Sequence, residues 1–287
     1  AICRTDARMS LTGHRDLCLP RIPGHEICGL EERTGSPFVV WPGQVCGVCD
    51  QCLSGRENLC EHMRIIGFHR DGGFAELLAV PKSCLIPIPQ AIPFHVACLA
   101  EPIACTRNAL ELAGLSDGKH VLIFGAGPVG LMMSLTATSM GADVHLVECD
   151  RLKLDRSREF REHIQVQSST SCPKSGFDVA INAAPSMDAF REGISSLKPG
   201  ALFCLFSGIT GESPLPSSLI NEIHYRQLRI VGAYGCKREH MTQAVRLISD
   251  HTELMELLVE ELIGLEKSPD ALRKILSDRV MRYVVQL

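Results

Sequence analysis

The stretch Val121–Gly130 reads VLIFGAGPVG and decides how the rest of the chain is organised. Its first four residues, Val121–Phe124, are all apolar, which is typical of a buried parallel strand. A G-x-G-x-x-G turn and a helix-like segment, residues 131–140, follow directly. Glycines at this spacing permit a tight turn, a close approach of the backbone to a pyrophosphate, and close packing of helix on strand.

A carboxylate further along the chain strengthens this interpretation. A second apolar strand, Asp143–Val147, ends at Glu148, near the roughly 20-residue spacing at which an acid holds the adenosine ribose. An ordinary strand–turn–helix with an incidental acid is the alternative. Glu148 favours NAD because a carboxylate repels the 2′-phosphate of NADP, whereas Arg151 and Lys153 leave NADP open. The residues predicted to bind the dinucleotide are Gly125, Gly127, Pro128, Val129, Gly130 and Glu148.

The pattern around this stretch divides the chain into three parts. From about Asn108 to Tyr234, apolar strands alternate with helical segments, which predicts an α/β fold with a doubly wound parallel sheet (Rossmann). The strands are expected at Val121–Phe124, Asp143–Val147, Val179–Asn182, Ala201–Phe206 and Arg229–Ala233, with a turn at Lys198–Gly200. Residues 1–106 are rich in strand and loop signals, with almost no helical periodicity. We therefore expect a mainly β catalytic domain at 1–106, a dinucleotide domain at 107–236, and a segment at 237–287 that returns to the first domain.

Composition excludes several other classes of protein. A chain of 287 residues that is 45% hydrophobic and 22% charged is typical of a globular protein with room for two domains. Its net charge of −4 gives no indication of binding to nucleic acid or to an anionic membrane. No apolar run approaches the roughly 18 residues of a membrane span. The N-terminus lacks the apolar core of a signal peptide, so we expect a cytoplasmic protein.

Four of the 14 cysteines are clustered in CGVCDQCLSGRENLC. Four thiolates at such spacing can surround one tetrahedral Zn²⁺ and leave no open position, which predicts a structural site. Gly47 and Gly55 let the loop fold back on itself. An iron–sulfur cluster and unligated cysteines are the alternatives. The predicted ligands are Cys46, Cys49, Cys52 and Cys60.

Three further motifs carry the chemistry of a second metal site. They are CRTD at Cys3–Asp6, GHE at Gly24–Glu26, and EPIACTRNA, which starts at Glu101. Taken singly, His25 could be a hydrogen-bonded core histidine, and Glu101 an acid at the N-terminus of a helix. Together with the cysteine cluster and the glycine turn, however, these motifs occur in the order typical of zinc-containing medium-chain alcohol dehydrogenases, which the chain resembles. A glutamate at position 101 is similar to the polyol and threonine dehydrogenase branch.

This resemblance implies a zinc-dependent hydride transfer between a secondary alcohol or polyol and NAD, in a chain with a GroES-like catalytic domain and two Zn²⁺ ions. It implies that Cys3, His25 and Glu101 bind the catalytic zinc, a donor set that leaves one position open for substrate. Glu26 would lie beside the metal. A homodimer or homotetramer is also expected, with strand Arg229–Ala233 pairing across a two-fold axis.

The resemblance also assigns the residues around the metal. Thr5 matches the hydroxyl that relays the substrate proton, and Asp6 matches the carboxylate that orients the histidine ligand. Arg4 matches a position that can contact the cofactor pyrophosphate. Arg8, in contrast, occupies a position where many members have a histidine, and an arginine cannot shuttle protons in the same way.

Other departures from the family pattern keep two alternatives open. The chain begins two residues before Cys3, where family members have a longer segment, and the usual Gly-Asp-Arg-Val turn after His25 is missing. The first alternative is an aldehyde or ketone reductase of the same family. The second is a catalytically impaired protein that binds dinucleotides.

Overall fold

The computed structural model describes residues 1–174, 176–209, 211, 214–277 and 280–287. They form two compact units. Unit 1 comprises Ala1–Ala104 and Gly235–Leu287, and unit 2 comprises Cys105–Tyr234. The last part of the chain therefore belongs to the same unit as the first.

The first part of unit 1 consists of short strands and helices joined by loops. Its helices are α1 (Arg4–Thr12), α2 (Asp50–Leu53) and α3 (Phe94–Ala97), and α4 (Ala100–Leu112) continues past the end of this part. Its strands are β1 (Ile27–Leu30), β2 (Pro37–Val40), β3 (Gly43–Gln44), β4 (Arg64–Ile65) and β5 (Leu85–Pro87). Strands β1, β2 and β5 form an antiparallel sheet, and β3 pairs with β4. Short 3-10 helices lie at Glu57–Leu59 and Lys82–Cys84.

Helix α1 differs from the strand and loop expected at the start of the chain. Its sequence, RTDARMSLT, contains few apolar residues, and this is why helical periodicity is hard to detect there. The helix begins where the carboxylate of Asp6 accepts a hydrogen bond from the N–H of Cys3, and it ends at Gly13, whose φ is +75°. A polar cap, more than an apolar stripe, defines this helix.

Unit 2 contains a six-stranded sheet in which all neighbouring strands are parallel. The strands are β6 (His120–Phe124), β7 (Asp143–Val147), β8 (Gln167–Ser169), β9 (Phe177–Asn182), β10 (Leu197–Leu205) and β11 (Arg229–Gly232). Their order along the sheet is β11-β10-β9-β6-β7-β8. The chain adds β7 and β8 on one side of β6 and then crosses over to add β9, β10 and β11 on the other side. This is the strand order of the doubly wound dinucleotide-binding fold, so the predicted parallel α/β sheet is confirmed.

Two details of this sheet differ from the sequence-based expectation. Strand β8 was not expected because it is a three-residue polar edge strand without the apolar run that identifies the others. The turn expected at Lys198–Gly200 is a break in register inside β10, where the pairing with β9 shifts between Leu197 and Leu202. Proline and glycine produced an irregular strand here, and the strand continues beyond them.

The helices of unit 2 accompany these strands. They are α5 (Pro128–Ser139), α6 (Arg151–Arg156), α7 (Arg158–His163), α8 (Met187–Ser196) and α9 (Ser217–Tyr225). Phe190 of α8 meets Phe203 of β10 edge to face, with ring centroids 5.0 Å apart. A buried cluster that includes Leu122, Ile194 and Leu228 surrounds this pair and fixes the sheet on one side.

The last part of unit 1 packs against its beginning. It contains α10 (Arg238–Asp250), α11 (Thr252–Glu256), β12 (Val259–Ile263), α12 (Ser268–Ile275) and β13 (Arg282–Val285), with a 3-10 helix at Leu265–Lys267. The N–H of Ile2 donates to the carbonyl of Tyr283 at 2.9 Å. Ile2 and Ala7 share a buried cluster with Ile275 and Tyr283. Hydrophobic burial thus holds α1 against β13.

None of the helices in the described ranges has the length and apolar character that crossing a bilayer would require.

The glycine turn yields a stability prediction. A Cβ on Gly130 would collide with the backbone oxygen of Gly125, whereas a Cβ on Gly127 would meet no atom within 4 Å, and φ of Gly127 is −76°. We expect Gly130→Ala to lower the free energy of unfolding by about 1–3 kcal/mol or more, because neither backbone segment can move away without losing packing. Gly127→Ala is the matched control and should unfold at the parent temperature in thermal denaturation followed by circular dichroism. Equal melting temperatures for both variants would contradict the packing argument.

Candidate functional site

The carboxylate of Asp6 joins the first two motifs of unit 1. It is 1% exposed, and its Oδ2 accepts the N–H of Cys3 at 2.9 Å. Its Oδ1 accepts the N–H of Gly24 at 3.3 Å and lies 3.1 Å from Nδ1 of His25. One buried side chain therefore fixes both Cys3, at the start of α1, and the GHE segment.

The charges of this pair reinforce each other. Burial acts to raise the pKa of Asp6, but the His25 ring and the N–H of Cys3 outweigh it and hold the pKa below its usual value. Burial acts in the opposite direction on His25, yet Asp6 raises the pKa of this imidazole well above its ordinary value. The carboxylate is therefore ionised, and it accepts a hydrogen bond from Nδ1–H of His25. A metal ion at Nε2 would replace the proton that the ring otherwise carries there, while Nδ1–H stays bonded to Asp6.

Three donor atoms converge next to this pair. Sγ of Cys3, a ring nitrogen of His25 and a carboxylate oxygen of Glu26 all lie within 4.8 Å of one another. Both carboxylate oxygens of Glu26 are buried and accept no hydrogen bond from the described residues. Oε1 already has a cation beside it, the guanidinium of Arg282 at 3.0 Å, whereas Oε2 has no donor among the described residues, and a metal ion would satisfy it. A thiolate, an imidazole and a carboxylate with one open position fit a catalytic zinc.

The donor group differs from the one predicted from the sequence. Glu26 lies with Cys3 and His25, whereas the carboxylate of Glu101, the predicted third ligand, lies within 4.8 Å of Sγ of Cys236 in a separate donor group. Glu101 is 9% exposed in the first turn of α4. The assignment of Glu101 as a zinc ligand stays a prediction, and the structure offers Glu26 as the competing carboxylate.

Arg282 is a site residue that the sequence analysis did not identify. It is buried in β13, where one guanidinium nitrogen lies 3.0 Å from Oε1 of Glu26 and donates to the carbonyl of Ile2 at 3.0 Å. Burial acts to lower the pKa of Arg282, but the negative charges of Glu26 and Cys3 outweigh burial, and the net effect raises the pKa. The guanidinium is therefore permanently charged. The only signal in the sequence is a single cation in the otherwise hydrophobic stretch MRYVV.

The other predicted residues near the metal lie on α1. Thr5 and Arg4 occupy its first turn, and both are partly buried. Burial, followed by the nearby charge of Arg8, lowers the pKa of Arg4, yet the guanidinium stays cationic near neutral pH. Two cations one turn apart form a positive region on this helix, which suits an anionic ligand.

The four clustered cysteines converge in a separate part of unit 1. Sγ of Cys49 lies 3.6 Å from Sγ of Cys52 and 3.9 Å from Sγ of Cys60. Sγ of Cys60 in turn lies 3.6 Å from Sγ of Cys46. Thiolates bound to one tetrahedral Zn²⁺ at about 2.3 Å are separated by about 3.8 Å. The N–H groups of Cys52 and Glu61 lower the pKa of Cys49 to about 6, which favours the thiolate. These residues therefore fit a structural zinc.

The predicted dinucleotide turn lies in unit 2, where β6 gives way to α5. Gly125 has a φ of +111°, which favours glycine, and its N–H donates to the carbonyl of Val147 at 2.8 Å. Gly127 caps α5, and Pro128 occupies the first helical position with Val129 and Gly130 behind it. The first N–H groups of a 12-residue helix are thus directed beyond the carboxyl end of the sheet, as pyrophosphate binding requires.

Glu148 supports this turn directly. Its Oε2 accepts the N–H of Ala126 at 2.9 Å, and its Oε1 accepts the N–H of Asp150 at 3.0 Å. The side chain is 7% exposed. The carboxylate at the predicted ribose position therefore also connects the glycine turn with the segment that follows β7.

Comparison with known proteins agrees with this arrangement. Residues 1–90 match the alcohol dehydrogenase GroES-like domain. The chain is 30% identical over 282 residues to D-altritol 5-dehydrogenase of Agrobacterium fabrum (strain C58 / ATCC 33970), covering 93% of this chain and 83% of that protein. It is 28% identical over 267 residues to L-galactonate-5-dehydrogenase of Escherichia coli K12, covering 87% and 77%. A protein of Sinorhizobium meliloti 1021 assigned to the zinc-binding dehydrogenases, solved with NADP, has a TM-score of 0.82 at 28% identity and covers 94% of this chain and 84% of that chain.

The two carboxylates of unit 1 can be distinguished by metal content. We expect Glu26→Gln to reduce bound zinc by about one ion per chain, because it removes the buried charge that lies with Cys3 and His25. Glu101→Gln should retain its zinc. Glu32→Gln, on the surface, is the control for handling and purity. Mass spectrometry of metal content after dialysis provides the measurement, and the reverse pattern would identify Glu101 as the ligand.

Proposed function

The chain belongs to the zinc-containing medium-chain alcohol dehydrogenase family, and from this premise we propose that it oxidises one secondary hydroxyl of a polyol. Membership makes it a zinc-dependent oxidoreductase that uses a nicotinamide dinucleotide. The polyol is proposed because the relatives act on altritol and galactonate, both polyhydroxylated chains. The observation that carries the proposal is the convergence of Cys3, His25 and Glu26 around one buried point.

The residues of unit 1 would prepare the hydroxyl for reaction. Zinc held by these residues would supply a Lewis acid that lowers the pKa of an alcohol, and a bound nicotinamide would supply the hydride acceptor. Asp6 keeps His25 in the tautomer that leaves Nε2 free. Arg282 balances the charge of Glu26, so the site can hold a carboxylate and a thiolate without excess negative charge. The hydroxyl of Thr5 would accept the proton that leaves the substrate. Arg8 would place a permanent positive charge at the outer end of this proton path.

The residues of unit 2 would hold the dinucleotide. The N–H groups at the start of α5 and the positive end of its dipole would bind the pyrophosphate. Glu148 favours NAD because its carboxylate disfavours a 2′-phosphate. NADP remains a second substrate to test, since Arg151 and Lys153 follow Glu148 and the Sinorhizobium relative was solved with NADP.

A substrate panel tests this proposal. We expect oxidation of four- to six-carbon alditols with NAD at a kcat/KM at least about tenfold above that for 2-alkanols of equal length. Initial rates of NADH formation, repeated with NADP and after removal of metal by chelation, provide the measurement. Rates in the direction of ketone reduction would identify a reductase. Failure of fluorescence titration to detect binding of either dinucleotide would overturn the enzyme assignment.

We also propose that two copies pair through β11, the edge strand of the parallel sheet. The N–H of Ala233 donates to Leu205 of β10, so the alternation of the strand directs the N–H of Ile230 away from the sheet. Ile230, Tyr225 and Tyr234 are large exposed side chains around this edge. An edge with unpaired backbone groups and apolar side chains is suited to pair with a second copy.

A proline at this edge tests the pairing. Ile230→Pro removes an outward N–H and should shift the protein from dimer to monomer in sedimentation velocity at micromolar concentration. Because that N–H is not used by β10, the melting temperature of the monomer should reflect the loss of association alone. Ile220→Lys, at an exposed position of helix α9, is the surface control and should remain dimeric. A monomeric parent protein would refute the proposal.

A further inference from the structure

We infer that His14 donates a hydrogen bond from its Nε2–H to a hydroxyl of the substrate, several carbons away from the carbon that is oxidised. This inference rests on the proposed polyol oxidation and names one residue that selects such a substrate. It is drawn from the position of His14 relative to His25, from the tautomer of its ring and from its exposure.

The position follows from two ring contacts that share Phe68. The imidazole of His14 meets the Phe68 ring edge to face with centroids 5.2 Å apart. The imidazole of His25 meets the same ring with centroids 5.2 Å apart and planes tilted by 59°. His14 therefore lies no further from His25 than the sum of these distances. A six-carbon chain anchored at the zinc site has sufficient length to reach it.

The tautomer follows from the backbone of the next residues. Nδ1 of His14 accepts the N–H of Asp16 at 3.2 Å. A ring nitrogen that accepts such a bond carries no hydrogen, so in the neutral ring the hydrogen is on Nε2. In the part of the chain described here, no group forms a hydrogen bond with Nε2 of His14. The ring therefore presents one oriented donor that the protein itself does not use.

The ring is also held in place before any ligand arrives. The N–H of Leu17 donates to the carbonyl of His14 at 3.0 Å, and the N–H of Cys18 donates to the carbonyl of Phe68 at 3.0 Å. The side chain of His14 is 26% exposed, so a ligand can reach it from solvent. A donor fixed by its surroundings loses little entropy on binding, which makes its hydrogen bond more effective.

The charge state selects the chemical class. Burial lowers the pKa of His14, with Asp16 opposing this and the charge of Arg15 adding to it. The ring is therefore neutral near pH 7 and offers an N–H without a full charge. Such a donor suits a hydroxyl oxygen. A hydrocarbon chain of the same length would gain nothing from it and would leave the donor without a partner.

The test compares His14→Phe with His14→Gln. We expect His14→Phe to raise KM for alditols about three- to tenfold with kcat nearly unchanged, because the bond is present in both the ground and the transition state. The values for 2-alkanols of equal length should stay within about twofold. His14→Gln restores an N–H donor and should recover part of the loss. His62→Phe, at an exposed histidine of the same unit, is the control.

The outcomes separate this inference from the proposed function. A parent protein that oxidises neither alditols nor 2-alkanols removes the proposed function itself. A parent that is active while His14→Phe affects both substrate series equally shows that His14 has only a structural role, and the inference is then wrong. A parent that prefers 2-alkanols overturns the proposed polyol oxidation, and the inference about His14 with it. Equal zinc content and melting temperatures across the variants exclude an indirect effect through the metal or the fold.

Discussion

The buried carboxylate of Asp6 is the constraint on which the rest of unit 1 depends. It caps α1 through the N–H of Cys3 and orients His25 through Nδ1. Burying an ion is costly, and here the cost is offset because the ion receives three hydrogen bonds, one of them from an imidazole. The same bonds that start a helix therefore determine where a thiol and an imidazole lie. The hydrogen bonds of Asp6 therefore both cap helix α1 and position two of the metal-binding side chains.

Unit 2 depends on a different constraint, the absence of side chains at the end of β6. A Cβ on Gly130 would collide with the backbone oxygen of Gly125, Gly125 itself has a φ of +111° that favours glycine, and Glu148 connects this turn to the end of β7. The turn follows β6, next to the point between β6 and β9 at which the strand order reverses, and folds of this kind bind ligands at that point. The strand order and the glycine turn thus indicate the same place, the end of β6, as the dinucleotide site.

The sequence predicted the parts of the molecule in which local pattern and final structure coincide. The five predicted apolar strands, the glycine turn and the clustered cysteines are recognisable because their signals are short in range. Helix α1 was missed because a carboxylate defines it and its apolar content is low, and β8 because it is short and polar. Arg282 and the choice between Glu26 and Glu101 depend on which distant segments meet in space, and no local pattern in a single chain encodes that.

The contact between the two ends of unit 1 has a consequence for biosynthesis. Cys3 and Arg282 are among the first and last described residues, yet the donor set of Cys3, His25 and Glu26 is balanced by the cation from β13. During translation, the thiol and the imidazole leave the ribosome long before the arginine that neutralises their carboxylate neighbour. Contacts of such long sequence separation form late. Until Arg282 has been synthesised, these metal-binding groups therefore lack the cation that balances their carboxylate neighbour.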